Sequence, residues 1–544
     1  IEALDGPEAS WAQPLLVPET GRIYVFYTFN RDNLREVKTV DGNSFRRVDS
    51  LGVYAYRYSD DQGLSWSDQR YEVPTRPFTC DRQNAYGGDV RFFWGVGKPF
   101  IQEGEVFVPY SKVGGFGRGF FDSNEGALIC SPNLLTEPDP ARHEWLTLPE
   151  GEVGLRTPEG GGPIAGELYV TPMNDGSFYG TFRTIDGYAC HAYSRDRGRS
   201  WQTDWMRYTP AGRKVKNPRS ANFVWRCANG KYLYWYNNHG GEPLARHTAD
   251  NPALGYAHRN PTFICGGVEH DGFIHWSQPE IVLYHDNIGD RWSYPDFIEQ
   301  DGRYFLTETQ KTIGRVHELD AALLEGMWRQ GEDRSVANDG LLIDHRGTGT
   351  VTMPPLPELR NAGLARVDPT TGASFPEDAE PIAARGGLTL ELWMRFDELN
   401  PWQLLFDSRD DEGLGMTVMT TDRGTVRLGI VGRTFARPSI WQCGMCESAW
   451  DCDPGLLETG RRHHVVFIVD GGPKLITVLV DGELCDGGAA RQYGWGRFHP
   501  NLKDANGADR ATVASDMRGE VERLRIYGRY LRTSEAVANY HAGR

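Results

Sequence analysis

One eight-residue pattern, Ser-x-Asp-x-Gly-x-x-Trp, occurs twice in this chain, as Ser59–Trp66 (SDDQGLSW) and Ser194–Trp201 (SRDRGRSW). Each copy follows a strand-like run, Val53–Tyr58 (VYAYRY) and Tyr188–Tyr193 (YACHAY). The chemistry is that of a tight turn between strands. Ser and Asp side chains bond exposed backbone N–H groups, Gly supplies a positive φ, and Trp folds back as an apolar plug. One match would mean little, because these residues are common in turns. Two matches with Trp in register, each after a β-rich run, require a repeating β unit.

A second repeat supports this. Short alternating strands flank a turn in Pro14–Phe29 (PLLVPETGRIYVFYTF), Pro99–Tyr110 (PFIQEGEVFVPY), Leu168–Phe182 (LYVTPMNDGSFYGTF), Ala221–Tyr236 (ANFVWRCANGKYLYWY) and Pro295–Thr307 (PDFIEQDGRYFLT). Each reads as a hairpin. Radial repetition of such units makes a β-propeller. Five copies predict five blades, or six if the glycine-rich stretch Glu152–Gly166 hides a degenerate one. Arg315–Arg329 carries leucines in helical register and reads as a short helix leaving the last blade.

At 544 residues the chain exceeds one ordinary core. We expect an all-β protein: a five- or six-bladed propeller over residues 1–334, then a β-sandwich over 335–544. The sandwich strands read as Leu388–Phe396, Trp402–Asp407, His464–Asp470, Leu475–Asp481 and Gly519–Tyr527. Their order resembles a laminin-G/concanavalin-like jelly roll. Such a domain either binds carbohydrate or packs against a catalytic partner.

The formal charge of −16 argues against nucleic acid and anionic membranes as partners. No apolar run approaches the length of a membrane span. The chain opens at Ile1 in propeller-like sequence, so a secreted or periplasmic protein with its leader removed is expected. Nine cysteines are scattered. Cys80, Cys130, Cys190, Cys227 and Cys265 read as buried thiols. Cys443, Cys446, Cys452 and Cys485 form the one cluster, open to a local disulfide or to zinc. No phosphate loop, dinucleotide fingerprint or His-Glu-x-x-His element occurs, so no organic cofactor is expected. A structural calcium in the jelly roll stays open, although no ligand set stands out.

The eight-residue pattern resembles the Asp-box of the sialidase superfamily, whose members are six-bladed propellers. In that family the box is structural and lies away from the active site. The resemblance extends to individual positions. Glu167 and Arg183 are sixteen positions apart across a hairpin and precede a box, like the family's Glu and one of its carboxylate-binding arginines. Arg259, in YAHRNP, is similar to another of those arginines, and Tyr294, in WSYPD, to the nucleophilic tyrosine. The family's first arginine, in Arg-Ile-Pro, has no counterpart in Ser10–Pro14 (SWAQP). Losing one bidentate partner of a carboxylate argues against strict sialic-acid specificity. The acid/base carboxylate is unassigned among Asp32, Asp41 and Asp49, with Asp41 and Asp49 preferred.

A propeller works at one mouth of its channel, through inner strands and their loops. The candidate catalytic residues are therefore Tyr294, Glu308, Glu167, Asp41, Asp49 and His239. Arg183, Arg259, Arg219, Arg291, Lys98 and Asn238 are the candidate substrate ligands, and no metal ligands are assigned. Glu308 and Lys311 also read as a surface pair. The leading expectation is an exo-acting, sialidase-like glycoside hydrolase cleaving a terminal acidic or substituted sugar from a glycan. One alternative is a uronate-cleaving lyase with His239 or Tyr294 as base and Arg219 as charge neutraliser. The other is a non-catalytic glycan-binding protein.

Overall fold

The computed structural model describes residues 1–117, 120–250, 252–285, 289–309, 313–359, 366–367, 374–375, 386–433, 445–499 and 502–543. Cys443 and Lys311 lie outside them.

Five antiparallel units follow one another along the chain. The first holds Ala9–Leu16, Ile23–Phe29, Leu51–Ser59 and Tyr71–Val73. In the second, Arg91–Trp94 and Phe100–Gln102 share one long partner, Glu105–Gly117, followed by Phe120–Ser131 and Leu146–Leu148. The third is Gly166–Pro172, Phe178–Arg183, Cys190–Ser194 and Gln202–Trp205. The fourth runs from Phe223–Arg226 through Tyr232–Tyr236 and Thr262–His270 to Phe273–Trp276, with Glu280–Leu283 added to the third of these strands. The fifth is Ser293–Gln300, Arg303–Thr309 and Gly314–Leu319.

Apolar contacts between neighbouring units close the ring. Tyr54 meets Tyr110, Phe107 meets Phe178, Tyr169 meets Phe223, and Trp225 meets Phe297. Trp11 of the first unit then reaches Tyr294 of the fifth, with ring centroids 6.4 Å apart. Large aromatics do this work because each buries much area; a fully buried one contributes about 1.5–3 kcal/mol. Among the described residues the ring thus has five blades. Glu152–Gly166 adds no sixth: Leu155 bridges back to Gly126, along the second blade.

Gly314–Leu319 is a strand and not the start of a helix, which corrects the expectation for Arg315–Arg329. The helix is confined to Ala321–Trp328, where the Asp320 carboxylate accepts from Ala322 N at 2.8 Å. Pairing with Arg303–Thr309 outweighs helical periodicity over the first five residues, Arg315–Leu319.

The two eight-residue turns are superimposable in their bonding. Ser59 Oγ donates to Asp61 Oδ1 (2.8 Å) and accepts from Gly63 N (2.8 Å). Ser194 does the same with Asp196 (2.8 Å) and Gly198 (2.7 Å). Asp61 accepts from Ser65 N and Oγ, and Asp196 from Ser200 N and Oγ. Gly63 and Gly198 stand at φ +88° and +86°, which an L side chain rarely adopts.

The C-terminal region is a two-layer sandwich. One sheet contains Leu341–Arg346, Gly519–Tyr527, Gly387–Phe396, Arg462–Asp470, Leu475–Val480, Glu483–Leu484 and Trp495–Arg497. The other contains Gly349–Thr352, Arg510–Asp516, Leu404–Asp407, Gly415–Thr420, Val426–Arg433 and Met445–Asp451. Leu390, Leu392, Phe406, Val418, Ile430, Phe467 and Val478 fill the space between them. Cys452 and Cys485 are buried free thiols, and burial pushes the Cys452 thiol up to about 12. The side chain of Cys446 is outside the described set. No group of three or more His, Cys, Asp or Glu among the described residues is arranged to hold a metal ion. No helix among them is long and apolar enough to cross a membrane.

Propeller and sandwich share a polar interface. Lys216 Nζ, almost fully buried, donates to the carbonyls of Asp486 (2.7 Å), Gly488 (2.6 Å) and Arg491 (2.8 Å). Glu280 of the fourth blade accepts from Thr533 N (3.0 Å) and Ser534 N (2.8 Å), so it caps the helix Thr533–Ala542.

Candidate functional site

The same irregularity recurs in three inner strands. In the first blade, Ser10 pairs with Thr28 and Gln13 with Phe26, three residues facing two. In the third, Gly166 pairs with Arg183 and Tyr169 with Thr181. In the fifth, Ser293 pairs with Thr309 and Asp296 with Thr307. Each is a one-residue bulge directly after a Ser or Gly. The residue that follows has a left-handed backbone: Trp11 at φ +63°, Glu167 at +57°, Tyr294 at +48°. For non-glycine residues this costs about 1–3 kcal/mol apiece. A bulge re-aims one side chain out of the pleat, and here three are aimed together.

Their side chains meet at the hub. Tyr294 Oη donates to Glu167 Oε1 at 3.2 Å. The same oxygen accepts from Arg183 Nη1 at 2.8 Å and from Trp94 Nε1 at 3.2 Å. Trp11 packs at a tilt of 39° against Trp94, centroids 3.8 Å apart. Glu167 and Arg183 are both almost completely buried. Such a pair carries a heavy desolvation cost and persists only with good geometry.

Arg259 arrives from the loop between the second and third strands of the fourth blade. Its Nη1 donates to Ser293 Oγ at 3.1 Å and its Nη2 to the Arg219 carbonyl at 3.3 Å. Arg219 lies over the Phe120 and Tyr256 rings and donates to the Phe121 carbonyl at 3.0 Å. Arg183, Arg259, Arg291 and Tyr294 line one open cavity of about 440 Å³, together with Arg47, Trp94, Phe120, Tyr256, Asp290 and Ser293. Several buried polar atoms there have no hydrogen-bond partner among the described residues: Arg183 Nε and Nη2, Glu167 Oε2 and Arg259 Nε. Such atoms call for water or a ligand.

Burial, reinforced by the Glu167 carboxylate, holds the Tyr294 phenol well above the usual tyrosine range. Burial pulls Arg259 down and Arg219 down to about 10. Both guanidiniums remain cations at neutral pH. The cavity therefore combines a protonated phenol with arginines that have unused donors, and the buried Glu167 carboxylate touches that phenol from behind.

The remaining candidates lie elsewhere. Asp49 pairs with Arg47 at 2.9 Å, one residue behind the cavity wall. Asp41 sits in an exposed turn, bonded to Thr39 and Asn43, and these bonds hold it below the usual carboxylate range. Lys98 pairs with Asp296 at 2.9 Å, linking the second and fifth blades across the hub. Glu308 is buried, 3.3 Å from His317 Nε2 and 3.6 Å from Arg315 Nη1. It follows Thr307 and precedes Thr309, so it faces the other side of its sheet from the Ser293–Thr309 rung. His239 is fully enclosed beneath the sandwich, and burial drops it to about 3, so it is neutral. The Asn238 carbonyl accepts from Trp495 Nε1 at 3.3 Å in the same interface.

Reading the sequence missed Trp11, Trp94, Arg47, Phe120 and Tyr256. A signal for Trp11 was present: aligning Ser10-Trp11, Gly166-Glu167 and Ser293-Tyr294 on the small residue places Trp11 at the bulge position.

Residues 368–537 match the family model of the concanavalin A-like lectin/glucanases superfamily. No curated protein matches the chain. Among solved structures, Trypanosoma rangeli sialidase in complex with the inhibitor DANA is similar at 12% identity and a TM-score of 0.33, covering 98% of this chain and 94% of that one. A GH32 beta-fructofuranosidase of Bombyx mori in complex with sucrose is similar at 12% identity and a TM-score of 0.32, covering 96% and 92%. A Hadza microbial sialidase is similar at 14% identity and a TM-score of 0.36, covering 57% and 52%. At these scores the strand topology above, and not the superposition, describes the fold.

Proposed function

We propose that this protein is an exo-acting, sialidase-like glycoside hydrolase that removes a terminal acidic or substituted sugar from a glycan. The contact between Tyr294 Oη and the buried Glu167 Oε1 carries this reading, because Tyr294 lines a cavity together with Arg183 and Arg259.

A neutral phenol approaches an anionic sugar without charge repulsion and becomes nucleophilic only as a base takes its proton. Glu167 is that base. Tyr294 Oη attacks the anomeric carbon while its proton passes to Glu167 Oε1. The bond to the leaving oxygen breaks, and that oxygen takes a proton from a carboxylic acid. Water then cleaves the glycosyl–tyrosine bond, returning the protons. Two displacements at one carbon give retention. The unpartnered donors of Arg183 and Arg259 hold the substrate's acidic group.

The test is release of 4-methylumbelliferone from aryl glycosides of N-acetylneuraminate, related nonulosonates and uronates. Turnover with retained anomeric configuration is expected. An unsaturated, ultraviolet-absorbing product from a uronate polymer would establish elimination instead. Binding of an acidic glycan without any turnover would leave the protein a lectin.

A further inference from the structure

Arg259 is flanked by two carbonyls that the sandwich controls. On one side, the His258 carbonyl accepts from His239 Nε2 at 2.7 Å. A carbonyl only accepts, so Nε2 carries the proton and Nδ1 is the acceptor. Nδ1 receives Gln492 Nε2 of the sandwich at 3.1 Å, and the Gln492 carbonyl in turn accepts from Gly240 N at 3.0 Å. On the other side, the Asn260 carbonyl accepts from Arg497 Nη2 of the sandwich at 2.5 Å. His258 stands at φ +61°, a left-handed conformation that costs a non-glycine residue energy and persists only where its surroundings over-determine it. The bonds on either side of Arg259 supply that constraint.

We propose that Gln492 and Arg497 are positioning residues of the propeller cavity, and that through them the sandwich sets the reach of Arg259 toward the substrate's acidic group. The proposal rests on the hydrolase reading for its substrate, but its structural half stands apart from it. Neither residue touches the cavity. Each acts on the backbone next to Arg259, whose guanidinium donates to Ser293 Oγ and the Arg219 carbonyl at its tip. The sandwich is then more than a tethered module, because removing one of its side chains changes how an anion is held some residues away.

The experiment uses the full chain with Arg497→Ala, Arg497→Lys and Gln492→Ala. Arg532→Ala is the control, because it removes a different interface pair, Arg532 Nη2 with Asp320 Oδ2 at 2.5 Å, without touching the Arg259 segment. Steady-state kinetics with 4-methylumbelliferyl N-acetylneuraminate and hydrogen exchange of peptides spanning residues 254–262 are measured together. For Arg497→Ala and Gln492→Ala we expect KM to rise roughly tenfold with kcat within about threefold, the pattern of lost substrate binding. Exchange in the 254–262 peptides rises, Arg497→Lys is intermediate, and Arg532→Ala matches the unsubstituted protein in both readouts. Unchanged exchange and KM in Arg497→Ala, or an Arg532→Ala variant that behaves the same way as Arg497→Ala, overturns the proposal. If the unsubstituted protein turns over no acidic glycoside, the hydrolase reading fails on its own, and the exchange arm still decides whether the sandwich holds the Arg259 segment.

Discussion

The first and third blades are built alike and do different things. Both carry the Ser-x-Asp-x-Gly-x-x-Trp turn with the same hydrogen bonds, and both bulge after one small residue of the inner strand. They part at the bulge. The third blade presents Glu167 beside a Gly166–Arg183 rung, and the first presents Trp11 beside a Ser10–Thr28 rung. The turn is exposed polar chemistry that any blade can carry, whereas the bulge is a strained address whose occupant is chosen blade by blade. Architecture repeats; reactivity does not.

The sharpest way to break this comparison is at the two bulge residues. Glu167→Gln, which removes the proposed base, should lower turnover of an acidic aryl glycoside by about 10²–10⁴-fold, whereas Trp11→Phe should cost less than about tenfold. Equal losses would mean that the two bulges share one task.

Next come the glycines of the turns. An added Cβ at Gly63 meets nothing closer than Trp66 at 3.8 Å, so Gly63→Ala should cost only the left-handed penalty, about 1–2 kcal/mol. At Gly198 the added Cβ would lie 2.8 Å from Leu128 Cδ1, a core neighbour, so overpacking should add about 1–3 kcal/mol. Urea melts of the two variants order them; a larger loss at Gly63 would contradict the packing described.

The smallest effect is in pH. Hydrogen bonds from Ser65 hold Asp61 at about 2, below the model-compound value of 3.8. A depressed carboxylate stabilises the fold above its unfolded pKa, and the contribution disappears as pH falls through the folded one. Asp61→Asn should therefore flatten the stability profile between about pH 4 and 2, measured by denaturant melts at stepped pH.

Much of the fold was legible because hairpins are local. Pro14–Phe29, Leu168–Phe182 and Pro295–Thr307 each contain the turn and the parts of the two paired strands next to it. The bulges were not legible, since a one-residue slip depends on the partner strand. Nor was the strand at Gly314–Leu319, where leucine spacing suggested a helix and ladder pairing prevailed. Tyr294, Glu167, Arg183 and Arg259 could be named from the family resemblance, but that Tyr294, Arg183 and Arg259 line one cavity is a property of ring closure. The enclosure of His239 was beyond reach, because the residues that cover it lie about 250 positions downstream.

Each blade is contiguous in the chain, so among the described residues no strand hydrogen-bonds the first blade to the fifth. The ring is fastened there by side chains, Trp11 against Tyr294 among them, and Tyr294 also lines the cavity. An occupant touching Arg47 of the first blade and Tyr294 of the fifth, which both line the cavity, would act as a clasp on the circle. Its binding energy would then add to the resistance of the entire wheel to opening, by RT ln(1 + [L]/Kd), and saturating sugar would protect even the blade farthest from it.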